Sequence, residues 1–186
     1  MTVPDAWKDM PMRWLMLPVA LLFAAPAMAQ GAPSDALLKC PTLGVTPTFR
    51  EQLADAMLQQ SPANDALFEQ LVTVTQDCAT RFGLAEDKGE AYFTYSLAQL
   101  PRDTLVARLK AAGIAAASID DAFGFGEGRA NPEISSNFSD AQMAGLLAAL
   151  TSSGVDVEKL SDASWEIVGA YAATSSLMWQ ARRSLQ

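Results

Sequence analysis

The amino-acid sequence predicts an all-α protein: a single-domain antiparallel bundle of about six helices with a long buried C-terminal helix. Three observations carry this. Apolar residues recur at spacings of three and four, most cleanly in Leu67, Leu71, Val74, Cys78 and Phe82. Capping signatures punctuate the chain, with Ser or Thr before the periodic runs and Gly after them. No run of any strength alternates apolar and polar residues with the period of a half-buried strand.

Taken in order, the chain opens on a leader. Arg13 precedes the apolar run 14–25, and Ala27-Met28-Ala29 offers a small-residue cleavage site. Residues 1–29 therefore read as a signal peptide cut after Ala29, with Met1, Met10 and Met12 all candidate starts. The run falls short of the about 20 apolar residues that span a bilayer, and Pro18 and Pro26 oppose a membrane helix. The expected location is periplasmic or secreted, with no stable membrane insertion after cleavage; an uncleaved anchor is the competing reading.

Residues 30–47, with Cys40, Pro41, Gly44 and Pro47, read as an extended N-terminal arm, and residues 48–186 as the helical bundle domain. The chain holds two cysteines. In an exported protein a single pair is most simply a disulfide, Cys40 to Cys78, tying the arm to a helix. Loop closure alone makes such a bridge worth roughly 3–4.7 kcal/mol.

Thr48-Phe-Arg-Glu51 reads as a capping box opening a helix to Gln60, with Phe49, Leu53, Ala56 and Met57 inward. Ser61-Pro62 opens a second helix, which runs to Phe82 and closes at Gly83. A third covers Ala85 to Leu100, with Phe93, Leu97 and Leu100 inward. Pro101 is expected to break it and start a fourth, which carries Leu105 and Leu109 and ends at Gly113. A short alanine-rich helix follows Ser118, and Gly124 to Pro132 is a glycine-rich loop. Ser139-Asp-Ala-Gln142 is another capping box; its helix turns Met143, Leu146, Leu147 and Leu150 inward and stops at Gly154.

Ser161 caps the last helix, which runs to Arg183. One stripe holds Trp165, Val168, Ala172, Ser175 and Trp179, and another Ile167, Tyr171, Thr174 and Met178. A helix apolar on most faces is buried by neighbours on several sides, so this one is expected to be the post of the bundle. Gly169, Ala173 and Ser176 form a smooth strip suited to close approach of another helix.

Composition excludes several classes of function. A net charge of −8 disfavours nucleic acid and anionic membrane surfaces as partners. The absence of histidine removes Ser-His-Asp and Cys-His catalysis and the commonest metal ligand. One cysteine pair cannot build a thiolate metal site by itself. No metal and no cofactor are expected, and the catalytic residues, if any, stay unknown.

The densest polar cluster is the loop with Asp120, Asp121, Glu127, Arg129, Asn131 and Glu133. It fails as a calcium loop, since a start at Asp121 places Phe123 and Phe125 at ligand positions and Pro132 where the closing Glu belongs. Two of its carboxylates have the chemistry of a general acid and base acting on cell-wall glycan. The competing reading is turn geometry and solvation. Tyr92, Phe93 and Tyr95, with Trp165, Tyr171 and Trp179, suit either a pocket for an apolar ligand or ordinary core packing. Arg102, Arg108 and Lys110 read as a solvated basic patch, and Asn137-Phe-Ser139 matches the N-glycosylation pattern.

Elimination leaves a non-catalytic exported helical protein, a protein-interaction or envelope-assembly module whose partner is another envelope or secreted protein. A carboxylate enzyme acting on glycan and a small apolar-ligand carrier are the alternatives.

Overall fold

The computed structural model describes residues 33–58, 65–134 and 138–186. The leader, the Ser61-Pro62 helix start and Asn137 of the glycosylation pattern lie outside the described residues.

The described residues form seven α-helices and two short 3-10 turns, with no strand among them. The order is α1 (Asp35–Gly44), α2 (Pro47–Leu58), α3 (Asp65–Arg81), a 3-10 turn (Glu86–Lys88), α4 (Gly89–Ala111), α5 (Ala116–Phe123), α6 (Asp140–Ser152), a second 3-10 turn (Val157–Lys159) and α7 (Asp162–Ser184). The all-helical bundle is as expected. The most extensive pairing is α4 with α7. Helix α4 also meets α1, α2, α3 and α5. The post is therefore a pair of helices rather than α7 alone.

Local signals set several boundaries. The Ser139 hydroxyl accepts from the Gln142 amide, and the Gln142 side chain accepts from the Ser139 amide, so the capping box is complete. Ser161 caps α7 through the Ser164 amide. Gly83, Gly113 and Gly154 stop their helices with φ of 62°, 77° and 88°.

Four expectations need correction. The segment expected as an extended arm is helical from Asp35 to Gly44 despite Pro41. Ser34 starts it by accepting from the Leu37 amide, and Leu37, Leu38, Cys40 and Pro41 give it a buried face. Pro41 has no N–H, so the carbonyl four residues back loses its helical donor. That carbonyl is Leu37 O, and the Tyr92 hydroxyl of α4 donates to it at 2.7 Å. Tertiary contact replaces the bond that local sequence removes.

Pro101 does not break α4. Proline in a helix interior costs about 3 kcal/mol, while fully burying one large apolar side chain returns about 1.5–3 kcal/mol. Tyr92, Tyr95 and Leu100 before the proline, and Leu105 and Leu109 after it, are all buried. Packing on both sides outweighs the local defect.

The cap of α2 lies two residues earlier than expected. The Thr46 hydroxyl accepts from the Phe49 amide, and Pro47 takes the first helical position, where its missing N–H costs nothing. In α3, Leu67, Leu71 and Cys78 are buried, but Val74 is only half-buried and Phe82, just past the helix end, is 40% exposed.

The core has three parts. Leu105, Leu109, Ile119, Phe123, Leu146, Leu150, Val168 and Tyr171 fill the end formed by α4–α7. Leu37, Leu38, Tyr92, Tyr95 and Met178 surround the disulfide. Phe49, Leu53, Leu67, Leu71 and Leu100 join α2 and α3 to α4.

Candidate functional site

The glycine-rich loop is clamped rather than loose. Asn131 is buried in the left-handed region with φ 46°, a conformation that asparagine tolerates better than most residues. Its side-chain oxygen accepts from the Gly126 amide at 2.8 Å, and its side-chain nitrogen donates to the carbonyls of Gly126 and Arg129 at 2.8 and 3.0 Å. Helix α7 then grips the loop. Arg183 donates to the carbonyls of Ala130 and Asn131. The Ser176 hydroxyl donates to Pro132 O at 3.0 Å and accepts from the Ile134 amide and from Gln180. Ser176 thus holds the loop, whereas a Cβ added at Gly169, on the same strip, would meet nothing. Among the described residues no neighbouring helix comes within 4 Å of that point.

The four carboxylates of this region meet different surroundings. Neighbouring residues on a helix project about 100° apart, and Asp120 and Asp121 diverge accordingly. Asp121 pairs with Arg129 at 2.7 Å on the outer side. Glu127, 86% exposed, pairs with Arg182 at 3.7 Å, and Glu133 is exposed. Asp120 turns inward. Arg102 of α4 donates to it at 2.9 Å, and the Tyr171 hydroxyl of α7 lies 3.0 Å from both of its oxygens. Arg102 also donates to the Tyr171 oxygen and stacks over the ring at 5.0 Å. Burial pushes the Tyr171 phenol up; Arg102 opposes that shift and Asp120 adds to it. The phenol stays protonated and donates. This Arg102–Asp120–Tyr171 knot fastens α4, α5 and α7 together. The basic patch is therefore not simply solvated: Arg102 belongs to the knot, and Arg108 pairs with Asp55 at 2.7 Å.

Sequence reasoning chose Asp120 for its acidity, placed Arg102 in a solvated patch and Tyr171 among pocket or core aromatics, and missed that the three meet. The separations of Arg102 and Tyr171 from Asp120, of 18 and 51 residues, leave no local signature. Asn131 did carry a signal, as an asparagine before proline in a glycine-rich turn.

Among the expected pocket aromatics, Tyr92 and Tyr171 are fully buried. Trp165 and Trp179 pack half-buried against the core. Burial pushes the Tyr92 phenol up as well.

Tyr92 and Phe93 border a groove between α3 and α4, and two further open surfaces flank α1, one of them bordered by Tyr95. The Cys40–Cys78 disulfide joins α1 to α3, with Cα atoms 5.9 Å apart. Beside it runs a groove of about 450 Å³, walled by Ala36, Leu43, Gly44, Val74 and Phe82 and flanked by Lys39, Asp77 and Arg81. Leu43 is 85% exposed, although it is a large apolar residue. On the other side of α1, facing α4 and α7, lies a smaller cavity of about 320 Å³. Lys39 and Leu43 border both. Among the described residues no group of acidic or cysteine side chains is arranged to hold a metal, and no helix is long and apolar enough to cross a membrane.

Set against protein-family models, curated proteins and solved structures, the chain matches none.

Proposed function

We propose that this chain is exported to an oxidising compartment and works there as a disulfide-stabilised interaction module, with the α1–α3 groove receiving an apolar segment of an envelope or secreted protein. The observation that carries this reading is the groove itself: an apolar trough with Leu43 exposed at its rim and Phe82 at its end. Helical modules commonly take an apolar helix face into such a trough. The leader pattern supports export. A disulfide in a chain with no other cysteine fits an oxidising compartment, since cytosolic thiols are kept reduced.

Site-specific photocrosslinking tests the reading. A photoreactive residue at Leu43 or Phe82, expressed in the native host, is expected to give one dominant adduct in the envelope fraction. The same residue at Lys110, exposed on the last turn of α4, serves as control. Equal, diffuse labelling from all three positions would sink the proposal. The first residue of the processed chain, expected to be Gln30, checks the export step separately.

A further inference from the structure

We infer that the occupant of the α1–α3 groove is a second copy of this chain, seated about a two-fold axis along the groove, an inference that rests on the reading of that groove as an interaction surface. Helices α1 and α3 are antiparallel. Cys40 is bridged to Cys78, and a Cβ added at Gly44, one turn on along α1, would meet Val74, one turn back along α3, at 3.0 Å. The groove runs from Ala36 to Leu43 on one wall and from Val74 to Arg81 on the other. That is about two helical turns, or roughly 10 Å.

Two unlike charges stand at the level of the bridge. Lys39 and Asp77 each precede a bridged cysteine, one on either wall. Both are exposed, and neither has an ion pair or hydrogen bond among the described residues. A two-fold contact sets residue i of one copy on residue j of the other, and j on i. An axis along the groove therefore lays α1 of each copy over α3 of the other, and Lys39 meets Asp77 twice. The apolar residues match in size under the same operation. Leu43, 85% exposed, comes over Val74 of the second copy, and Phe82 comes over the small Ala36. The charge of the whole chain narrows where two copies can touch. At −8 they repel over most of the surface, whereas the groove carries Lys39 and Arg81 against a single carboxylate, Asp77. An unrelated partner must carry the reverse of this charge pattern. A second copy carries it already.

Sedimentation equilibrium of the processed, oxidised protein over about 5–500 µM provides the test. A monomer–dimer equilibrium is expected, with a Kd of about 100 µM, since a groove two turns long sits at the small end of specific interfaces. Lys39→Asp and Asp77→Lys each set like charges together at both contacts. Each alone should weaken the dimer at least roughly tenfold, with the helical circular dichroism unchanged. An equimolar mixture of the two variants restores both unlike pairs, so a mixed dimer should form with about the parent Kd. A folding defect in either variant would not be repaired by mixing. Protein that stays monomeric to about 500 µM overturns the proposal. So does a dimer that neither charge reversal weakens, or a pair of variants that fails to associate on mixing. The Leu43 photocrosslink tells the two readings apart. An adduct with a different protein removes the second copy and leaves the groove as an interaction surface, whereas no specific adduct from Leu43 or Phe82 removes both.

Discussion

Two segments pack beside the central α4–α7 pair, α1 against α3 and α4 and the loop after α5 against α7, and they are held by opposite means. Helix α1 is fastened at one covalent point, the Cys40–Cys78 disulfide, and by the Tyr92 hydroxyl bond to Leu37 O. The loop after α5 is fastened by many small bonds, through Asn131 within it and Ser176 and Arg183 beneath it. The difference explains where the open surface is. A loop held by hydrogen bonds must spend its polar groups on the protein, and this one does. Helix α1 is held by the disulfide and one buried face, and its flanks stay open as a groove on one side and a cavity on the other. The candidate sites follow the covalent attachment and not the acidic loop.

The contrast can be broken at either attachment. The largest effect is expected from Cys40→Ser with Cys78→Ser. A bridge spanning 38 residues contributes about 4 kcal/mol by the loop-closure model, or about 10 °C in melting temperature for a domain of this size. Hydrogen exchange should show α1 losing protection while α5 and α6 keep theirs. Uniform loss across all helices would mean that the two attachments are one cooperative unit.

Asn131→Ala comes next. It removes three side-chain hydrogen bonds and leaves the part-buried amide and carbonyl of Gly126 underserved, at a cost of about 2–3 kcal/mol. The exchange should rise in residues 124–134 and near Arg183, and not in α1. An unchanged melting temperature would show the loop to be passive.

Tyr171→Phe tests the knot beneath the loop. Losing a hydroxyl bonded to charged partners should cost about 1.5–2 kcal/mol, moderated by the partial exposure of Arg102 and Asp120. It also predicts a pH dependence. The folded pKa of Tyr171 lies above its ordinary value of 10.0, as does that of Tyr92. Below pH 10 both phenols are neutral in either state and the contribution is constant. Above it the unfolded phenols release protons while the folded ones resist, so stability falls as pH rises. The gap between melting temperatures at pH 8 and pH 11 should therefore narrow in the Tyr171→Phe, Tyr92→Phe double variant, the remainder falling to Tyr95, whose phenol burial also pushes up. A drop as steep as in the parent would place the alkaline sensitivity elsewhere.

The smallest effect is expected from Leu43→Asp. An exposed rim residue should change stability by no more than about 0.5 kcal/mol, yet abolish groove crosslinking. A large destabilisation would mean that Leu43 packs in the fold.

What could be read from the sequence divides along the same line. The capping box at Ser139 and the cap at Ser161 rest on spacings within one helical turn, the buried members of the α3 stripe on the three-and-four repeat of a single helix, and the cysteine pair, 38 residues apart, on there being just two cysteines to join. The helicity of α1 could not be read this way, because Pro41 argues against it and the compensating hydroxyl comes from Tyr92, 55 residues away from Leu37. The same holds for α4 through Pro101 and for the knot of Arg102, Asp120 and Tyr171. The cavities beside α1 were hidden for a related reason: they exist only once a segment that reads as an arm is seen to be a helix.

The hydroxyl bond from Tyr92 to Leu37 also constrains the order of assembly. A peptide carrying Pro41 has no local means of answering the Leu37 carbonyl, so α1 becomes a helix only on a surface that already presents Tyr92. Helix α4 is made later in the chain than α1. The amino-terminal segment is therefore expected to become helical only after α4 has emerged, with Cys40 meeting Cys78 once that surface is present. Under the proposed export, such a delay would keep the amino-terminal segment unfolded for its passage across a membrane.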